Sequence, residues 1–119
     1  MQPVQDWIGK QGISDGLMTV FVQHTSCSLV IQENADQDVT LDLRDFFERL
    51  VPEKSENFRH TAEGFDDMTS HIRSTLTQTS ISVPLIAGQL ALGTWQGLYV
   101  FEHRVRPHQR RVVLQVMGE

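Results

Sequence analysis

Residues 81–117, ISVPLIAGQLALGTWQGLYVFEHRVRPHQRRVVLQVM, decide the fold class of this chain. The stretch opens with apolar residues that alternate with polar or small ones: Ile81, Val83 and Leu85. This two-residue period is typical of a strand with one buried face. Two further runs rich in β-forming residues follow at 97–102 and 111–117. The stretch therefore predicts an antiparallel meander, with the polar residues 103–110 as a hairpin-like connection between its last two strands.

Upstream of this stretch, the middle of the chain predicts two helices separated by a polar loop at 53–65. Asp36 is a suitable N-cap for the first helix, and Pro52 ends it. Asp66 or Asp67 can cap the second. Apolar residues recur at helical spacing in both segments, at Val39, Leu43, Phe46, Phe47 and Leu50 in the first and at Met68, Ile72 and Leu76 in the second.

Strands also occur near the start of the chain. Two short β-rich runs, 17–23 and 26–32, precede the helices, and residues 1–16 can hold a short helix. Strands followed by helices and then by more strands are typical of an α+β protein. A chain of 119 residues has the size of one domain. We therefore predict a single α+β domain across 1–119, in which an antiparallel, sandwich-like sheet packs with two helices.

Composition and charge exclude several classes of protein. The net charge is −5 and the pI is near 5.4, which argues against general binding of nucleic acid, since that requires a basic surface. No apolar run is long enough to span a membrane. The N-terminus shows no signal peptide, and Cys27 is the single cysteine, so an internal disulfide is excluded. These features predict a soluble cytoplasmic protein.

Three histidines stand among small polar and acidic residues, namely His24 in QHTSCSLVIQEN, His60 in FRHTAEGFDDM and His71 in DDMTSHIRS. Neutral imidazole is the commonest metal-binding side chain, and a three-histidine site leaves coordination positions open for water or substrate. Their spacing matches no standard metal motif, so ordinary surface or core histidines are the alternative. We predict that the three rings converge on one ion.

Acidic and amide residues lie close to these histidines in the sequence. Glu33 and Asn34 precede the first helix cap, so they are available to orient a metal-bound histidine or to bind a polar substrate. The acids between His60 and His71 can coordinate a harder ion such as Mg²⁺, or they can simply cap the second helix. Glu33 and Asp67 are the candidate general bases.

A local basic cluster in this acidic protein consists of His103, Arg104, Arg106, His108, Arg110 and Arg111. Arginine side chains suit phosphate oxygens, although a solvated hairpin with a charged edge has the same composition. Trp95 and Gln96 stand between two glycines, which let a ligand approach the backbone closely. They predict one wall of a substrate pocket, and a buried core tryptophan is the alternative.

The chain closely resembles the YjbQ-like family, a group of small proteins often described as secondary thiamine-phosphate synthases. The matching stretches are QHTSCSLVIQENAD, LVPE, HTAEGFDDMTSHIRS, LALGTWQGLYVFEHR and RRVVLQVMGE, which occur in the family's order over about residues 17–119. The resemblance implies a sandwich-like α+β subunit that assembles as a homotrimer. Family members usually carry a further N-terminal segment with an edge strand, so this chain is expected to lack that strand.

The resemblance also implies a chemistry, in which a pyrimidine methyl diphosphate is joined to a thiazole phosphate and pyrophosphate is released. The family's shared positions fall on His24, His60, His71, Glu33, Asn34, Asp36, Asp67, Arg104 and Arg111. The small phosphorylated metabolite would then be bound by Asn34, Trp95, Gln96, Arg104 and Arg111. A three-histidine site suits Zn²⁺ better than Mg²⁺, so zinc is the expected cofactor and magnesium the alternative. A metal-dependent hydrolase and a non-catalytic metal or metabolite binder remain open.

Overall fold

The computed structural model describes residues 2–53 and 57–119. Within these residues the chain forms three helices and six strands, in the order α1 (Gln2–Gly9), β1 (Gly16–Val22), β2 (Cys27–Glu33), α2 (Gln37–Leu50), α3 (Asp67–Leu76), β3 (Ser80–Ile86), β4 (Gln89–Leu90), β5 (Gln96–Glu102) and β6 (Val112–Gly118). All strand pairs are antiparallel, so the predicted α+β class is confirmed. The predicted loop at 53–65 falls partly on residues 54–56, which lie outside the described residues.

The first sheet has the strand order β4-β3-β1-β6. Its central strand β1 places Val20 opposite Ile81 of β3 on one side and opposite Leu114 of β6 on the other. The alternation predicted for β3 is confirmed, because Ile81, Val83 and Leu85 are buried while their neighbours are exposed. This sheet forms one wall of the core.

The second sheet pairs only β2 with β5, and it corrects the predicted meander. Residues 103–111 do not close a hairpin, since β5 pairs with β2 while β6 pairs with β1. The connection therefore crosses from one sheet to the other. Arg110 stabilises this connection by donating hydrogen bonds to the Glu102 carboxylate and to Ser26. Alternation along a strand identifies the strand but carries no information about which partner it pairs with.

The core lies where the two sheets face each other. Its buried apolar side chains form one cluster, made of Ile8, Met18, Val20, Val22, Cys27, Leu29, Ile81, Val83, Leu85 and Leu98. Ile8 comes from α1, and Val4 and Trp7 of the same helix pack partly against the cluster. Full burial of one large apolar side chain stabilises a fold by about 1.5–3 kcal/mol, so this cluster holds both sheets in fixed relation.

Helix α2 begins where the sequence predicts. The Asp36 carboxylate accepts a hydrogen bond from the Asp38 backbone N–H at 2.9 Å, which confirms the N-cap. The apolar side of the helix, however, is not buried: none of its residues is, and Phe46 and Leu50 are exposed. Its clearest anchor is Phe47, whose ring meets that of Phe101 on β5 edge to face at 5.2 Å.

Helix α3 departs further from the sequence pattern, because its buried face is polar. That face consists of Asp67, Thr69, Ser70, Arg73 and Ser74. The predicted apolar stripe is half-buried at Met68 and Ile72 and exposed at Leu76. Hydrogen bonds to backbone carbonyls explain this arrangement: Thr69 donates to Pro52, Arg73 to Val51 and Ser74 to Cys27. Polar groups can be buried when they find such partners.

Candidate metal centre

Three metal-ligating side chains meet at the start of α3. Asp67 lies in the first turn, His71 lies one turn later on the same face, and His60 reaches them from the preceding loop. The Asp67 Oδ2 atom is 2.6 Å from His60 Nε2 and 2.9 Å from His71 Nε2. One ligand atom from each residue lies within 4.8 Å of the others. We call these three residues the His60–Asp67–His71 cluster.

The hydrogen bonds of His71 define which ring nitrogen faces the cluster. Its Nδ1 lies 2.8 Å from the Thr25 carbonyl oxygen, which can only accept, so Nδ1 carries the proton. In a neutral ring, Nε2 then presents a lone pair towards the Asp67 carboxylate, which is also an acceptor. Two acceptors facing each other require either a second proton on the ring or a cation between them. A backbone carbonyl on the far nitrogen is the usual way in which proteins orient a metal-binding histidine.

Asp67 is held as a carboxylate by its surroundings. Its side chain is almost fully buried, and its Oδ1 accepts a hydrogen bond from Arg104 Nη1 at 2.7 Å. Burial raises the pKa of this carboxyl, but the hydrogen bond from His60 and the charges of His71 and Arg104 outweigh it and bring the pKa below its ordinary value. Oδ1 is thus committed to the guanidinium, and Oδ2 faces the two imidazoles.

The side chain of Arg104 is directed at this carboxylate and its neighbours, and its predicted part in substrate binding stays a prediction. Its Nε donates to Asp66 Oδ2 at 3.0 Å, its Nη1 to Asp67 and its Nη2 to the Glu63 carbonyl. Asp66, in turn, stands at the N-cap position of α3, but its side chain bonds Arg104 and the Val105 N–H, and it makes no cap hydrogen bond. Arg104 thus positions the Asp67 carboxylate, and these contacts engage three of its five N–H groups.

His24 does not belong to the cluster. Its Nε2 accepts a hydrogen bond from the Arg111 backbone N–H at 2.6 Å. Partial burial, followed by the charge of Arg110, lowers the pKa of this imidazole, so the ring is neutral near pH 7. His24 and His71 nevertheless line the same open groove of about 600 Å³, whose other lining residues all carry hydroxyl groups: Thr25, Ser74, Thr75, Thr77 and Thr79.

The remaining predicted site residues lie at the other end of the second sheet. Glu33 pairs with Gln96 at one end of β2–β5, while Cys27 pairs with Glu102 at the end near the histidines. Six residues of strand separate these ends by roughly 20 Å. The Asn34 amide donates to the Thr94 and Gln96 carbonyls, and the Trp95 ring is exposed. Trp95 is therefore not a core residue, and within one chain this group does not reach the histidines.

The basic cluster predicted from the sequence separates into parts with different environments. Arg104 and Arg110 are engaged by carboxylates, whereas Arg106 and Arg111 are exposed and make no ion pair with any residue described by the structure.

His103 is buried, with its Nε2 2.8 Å from Ser28 Oγ. From the sequence, His103 was predicted to begin the polar, hairpin-like connection at 103–110. Side chains two residues apart on a strand point to the same face, so His103 is expected on the same face of β5 as Phe101. The structure confirms this, since the two rings lie 4.5 Å apart.

Stability is expected to fall as the pH is lowered from 6.5 to about 4, because burial and then the charge of Arg73 lower the pKa of His103 to about 4. In that window the unfolded chain binds more protons than the folded one, so the free energy of unfolding decreases as the pH falls. The contribution of one such group is at most about 1.4 kcal/mol per pH unit. Urea unfolding at several pH values across the window measures it.

The His103→Gln variant should show a shallower pH dependence, which does not vanish because His24 and the carboxyls of Asp66, Asp67 and Glu102, whose pKa values are also lowered, contribute with the same sign. His108→Gln, in an exposed part of the same connection, is the matched control and should keep the full slope. Equal slopes in both variants would show that His103 is not the titrating group.

The fold and the cluster define a small mixed α+β protein with a histidine–aspartate group at the start of a helix. The chain matches the family described as UPF0047 protein YjbQ-like over residues 1–119, and it belongs to that family. The resemblance found in the sequence is thereby confirmed. No helix in the described part of the chain is long and apolar enough to cross a membrane.

Individual relatives agree with this assignment. A UPF0047 protein from Synechocystis is 56% identical over 116 residues, which cover 98% of this chain and 79% of the relative. The UPF0047 protein YjbQ of Escherichia coli O157:H7 is 42% identical over 107 residues, covering 90% and 77%. Among solved structures, an uncharacterized conserved YjbQ/UPF0047 protein from Clostridium acetobutylicum superposes with a TM-score of 0.86 at 32% identity, covering 98% of this chain and 86% of that one.

Proposed function

We propose that this chain is a divalent-metal-dependent enzyme that acts on a small phosphorylated metabolite. The observation that carries the proposal is the arrangement of His71, whose Nδ1 proton is fixed on the Thr25 carbonyl so that Nε2 faces Asp67 and His60. Two imidazole nitrogens and one carboxylate oxygen form a donor set that suits Zn²⁺ better than Mg²⁺. A bound cation would supply Lewis-acid stabilisation of negative charge on a phosphoryl oxygen.

The groove beside the cluster supports a phosphorylated ligand. Among its hydroxyl groups, those of Ser74, Thr75 and Thr77 donate to backbone carbonyls, whereas those of Thr25 and Thr79 have no such acceptor among the described residues and can donate to phosphate oxygens. Arg111 adjoins it through the hydrogen bond to His24, and its exposed guanidinium is not committed to a described carboxylate. In this proposal, Arg104 does not bind the ligand; it positions the Asp67 carboxylate. The His24 ring is neutral and its Nε2 accepts from the Arg111 N–H, so its Nδ1–H is the group that can donate a hydrogen bond to a ligand in the groove.

The specific reaction that we propose for testing is thiamine-phosphate synthesis. In it, the thiazole nitrogen forms a bond to the pyrimidine methylene carbon, the carbon–oxygen bond to the diphosphate breaks, and pyrophosphate leaves. Glu33, Asn34, Trp95 and Gln96 lie too far from the cluster to act on it within one chain. We therefore also propose the homotrimer, in which a neighbouring copy brings this group to the groove. Exposed apolar side chains such as Phe46, Leu50 and Met117 are consistent with association.

A second function, binding without turnover, is favoured by the state of Asp67. Both of its oxygens are engaged, one by Arg104 and the other by two imidazoles, so it is not free to act as a general base. If no neighbouring copy supplies Glu33, the site holds a cation and a phosphorylated metabolite but lacks a carboxylate base.

The zinc-loaded protein is expected to convert the pyrimidine diphosphate and the thiazole phosphate into thiamine phosphate and pyrophosphate, both quantified by mass spectrometry. His71→Gln should abolish turnover, whereas His108→Gln, in an exposed stretch of the basic connection, should keep it. Zinc binding with no turnover would support the binding protein. Release of inorganic phosphate from a phosphate ester, lost in His71→Gln, would identify a hydrolase instead.

A further inference from the structure

A second cavity lies on the other side of α3 from the metal centre. It has a volume of about 590 Å³, is partly open, and is lined by α2, the β2–β5 sheet, the start of the connection after β5 and Arg73 of α3. This volume is in the range of sites that hold small organic ligands. Arg73 and His71 are two residues apart on α3 and so point about 200° away from each other around the helix. The cavity and the His60–Asp67–His71 cluster therefore lie on different sides of α3, although Arg104, which donates to Asp67, also lines the cavity.

Two buried polar atoms of the cavity lining lack a partner. They are Arg73 Nε and His103 Nδ1, and among the described residues they are the only buried side-chain nitrogen or oxygen atoms without a hydrogen bond. The Arg73 side chain is 7% exposed and His103 is 3% exposed. Each lost hydrogen bond in a buried position is costly, so such atoms usually mark a place where something else binds.

The charge of Arg73 is also uncompensated. Its one hydrogen bond runs from Nη2 to the Val51 carbonyl at 2.8 Å, and no described carboxylate pairs with it. Three carboxylates line the same cavity: Glu102 is already held by Arg110 and by the Arg104 N–H, and neither Glu48 nor Glu53 forms an ion pair with Arg73. A buried guanidinium without a counter-ion is unfavourable, and it favours a ligand that carries a negative charge.

The walls of the cavity select the rest of the ligand. The rings of Phe47, Phe101 and His103 form a continuous aromatic surface, with centroids 5.2 Å and 4.5 Å apart. Val30 and Leu43 add aliphatic surface. The lowered pKa of His103 keeps this imidazole neutral, so it adds a hydrogen-bonding group but no second charge. An aromatic body against the rings would place its acidic group near Arg73.

We propose that this cavity binds a small aromatic carboxylate, whose oxygens accept from the free Nε–H of Arg73 and whose ring packs on Phe47 and Phe101. This ligand site is independent of the proposed metal chemistry. It also accounts for the lack of buried residues on α2, because a ligand would cover Leu43 and the part of the Phe47 ring that Phe101 leaves free.

Benzoate and benzamide form a matched pair of probes, since they share shape and differ in charge. In calorimetric titrations of the full chain, benzoate is expected to bind about tenfold to a hundredfold more tightly than benzamide, as for a hydrogen bond to a charged group. In NMR spectra, the Arg73 Nε–H resonance should move on addition of benzoate but not of benzamide. Equal affinity for the two probes, or binding of neither at millimolar concentration, would overturn the proposal.

Two substitutions test the location of the site. Leu43→Trp should fill the cavity and remove benzoate binding while leaving Arg73 intact, and Leu41→Trp, exposed on α2 outside the cavity lining, is its control. Arg73→Met should reduce benzoate affinity to that of benzamide. If this variant does not fold, the Leu43→Trp and Leu41→Trp pair decides. Unchanged benzoate affinity in Leu43→Trp would contradict the proposed site. The proposal would also be contradicted if Leu43→Trp weakened self-association while the unsubstituted protein bound no benzoate.

Discussion

Replacing His71 with alanine is expected to reduce zinc affinity by at least about a hundredfold. Loss of residues that merely support metal ligands costs about tenfold to a hundredfold, and His71 would be a ligand itself. The fold should survive, because the ring is partly exposed and its hydrogen bonds to the Thr25 carbonyl and the Asp67 carboxylate contribute about 1–3 kcal/mol each. Calorimetric zinc titration measures the affinity, and urea unfolding measures the stability.

The controls for this prediction separate two hypotheses about the ligand set. His108→Ala removes an exposed histidine outside the cluster and should bind zinc as the unsubstituted protein does. His24→Ala should also retain zinc binding, since Nε2 of His24 is engaged by the Arg111 N–H. Equal losses in His24→Ala and His71→Ala would instead support the three-histidine site predicted from the sequence.

Replacing Arg104 with methionine is expected to destabilise the protein by about 3–5 kcal/mol, as when one partner of a buried ion pair is removed. Asp66 and Asp67 are both buried, and Arg104 donates to each of them. Without the guanidinium, each carboxylate loses a charged hydrogen-bond donor. The change should lower the midpoint of urea unfolding, and saturating zinc should restore part of the loss because it binds only the folded state.

Arg106→Met is the matched control, since Arg106 lies in the same connection, is exposed and makes no ion pair with a described residue. A second substitution sharpens the result. Asp66→Asn in the Arg104→Met background should recover some stability, because it removes one of the two uncompensated charges. Equal stability of Arg104→Met and Arg106→Met would show that the Arg104 ion pairs do not hold the site together.

Local features of the fold could be predicted because their causes are local. The alternation of Ile81, Val83 and Leu85 matches their burial in β3, and Asp36 caps α2 as its position indicates. The pairing of β5 with β2 could not be predicted, because it depends on contacts between residues more than sixty positions apart. The short polar connection at 103–111 is typical of a hairpin, and only the tertiary structure shows that it joins two sheets.

The candidate site could be predicted only in part, for the same reason. His60 and His71 were predicted as metal ligands and Asp67 as a general base, and the structure brings these three together. The role of Arg104 depends on carboxylates 37 and 38 residues earlier in the chain, which no local pattern indicates. Arg73 gave no signal, since a buried arginine on a polar helix face looks in sequence like a solvated one.

The most direct test of the central claim is X-ray diffraction from zinc-soaked crystals, with anomalous data collected on both sides of the zinc absorption edge. We expect one strong anomalous peak per chain, in contact with the Nε2 atoms of His60 and His71 and with a carboxylate oxygen of Asp67. The Thr25 carbonyl should remain on the Nδ1 side of His71. A peak bound elsewhere, or no peak at this cluster when zinc is in excess, would contradict the assignment.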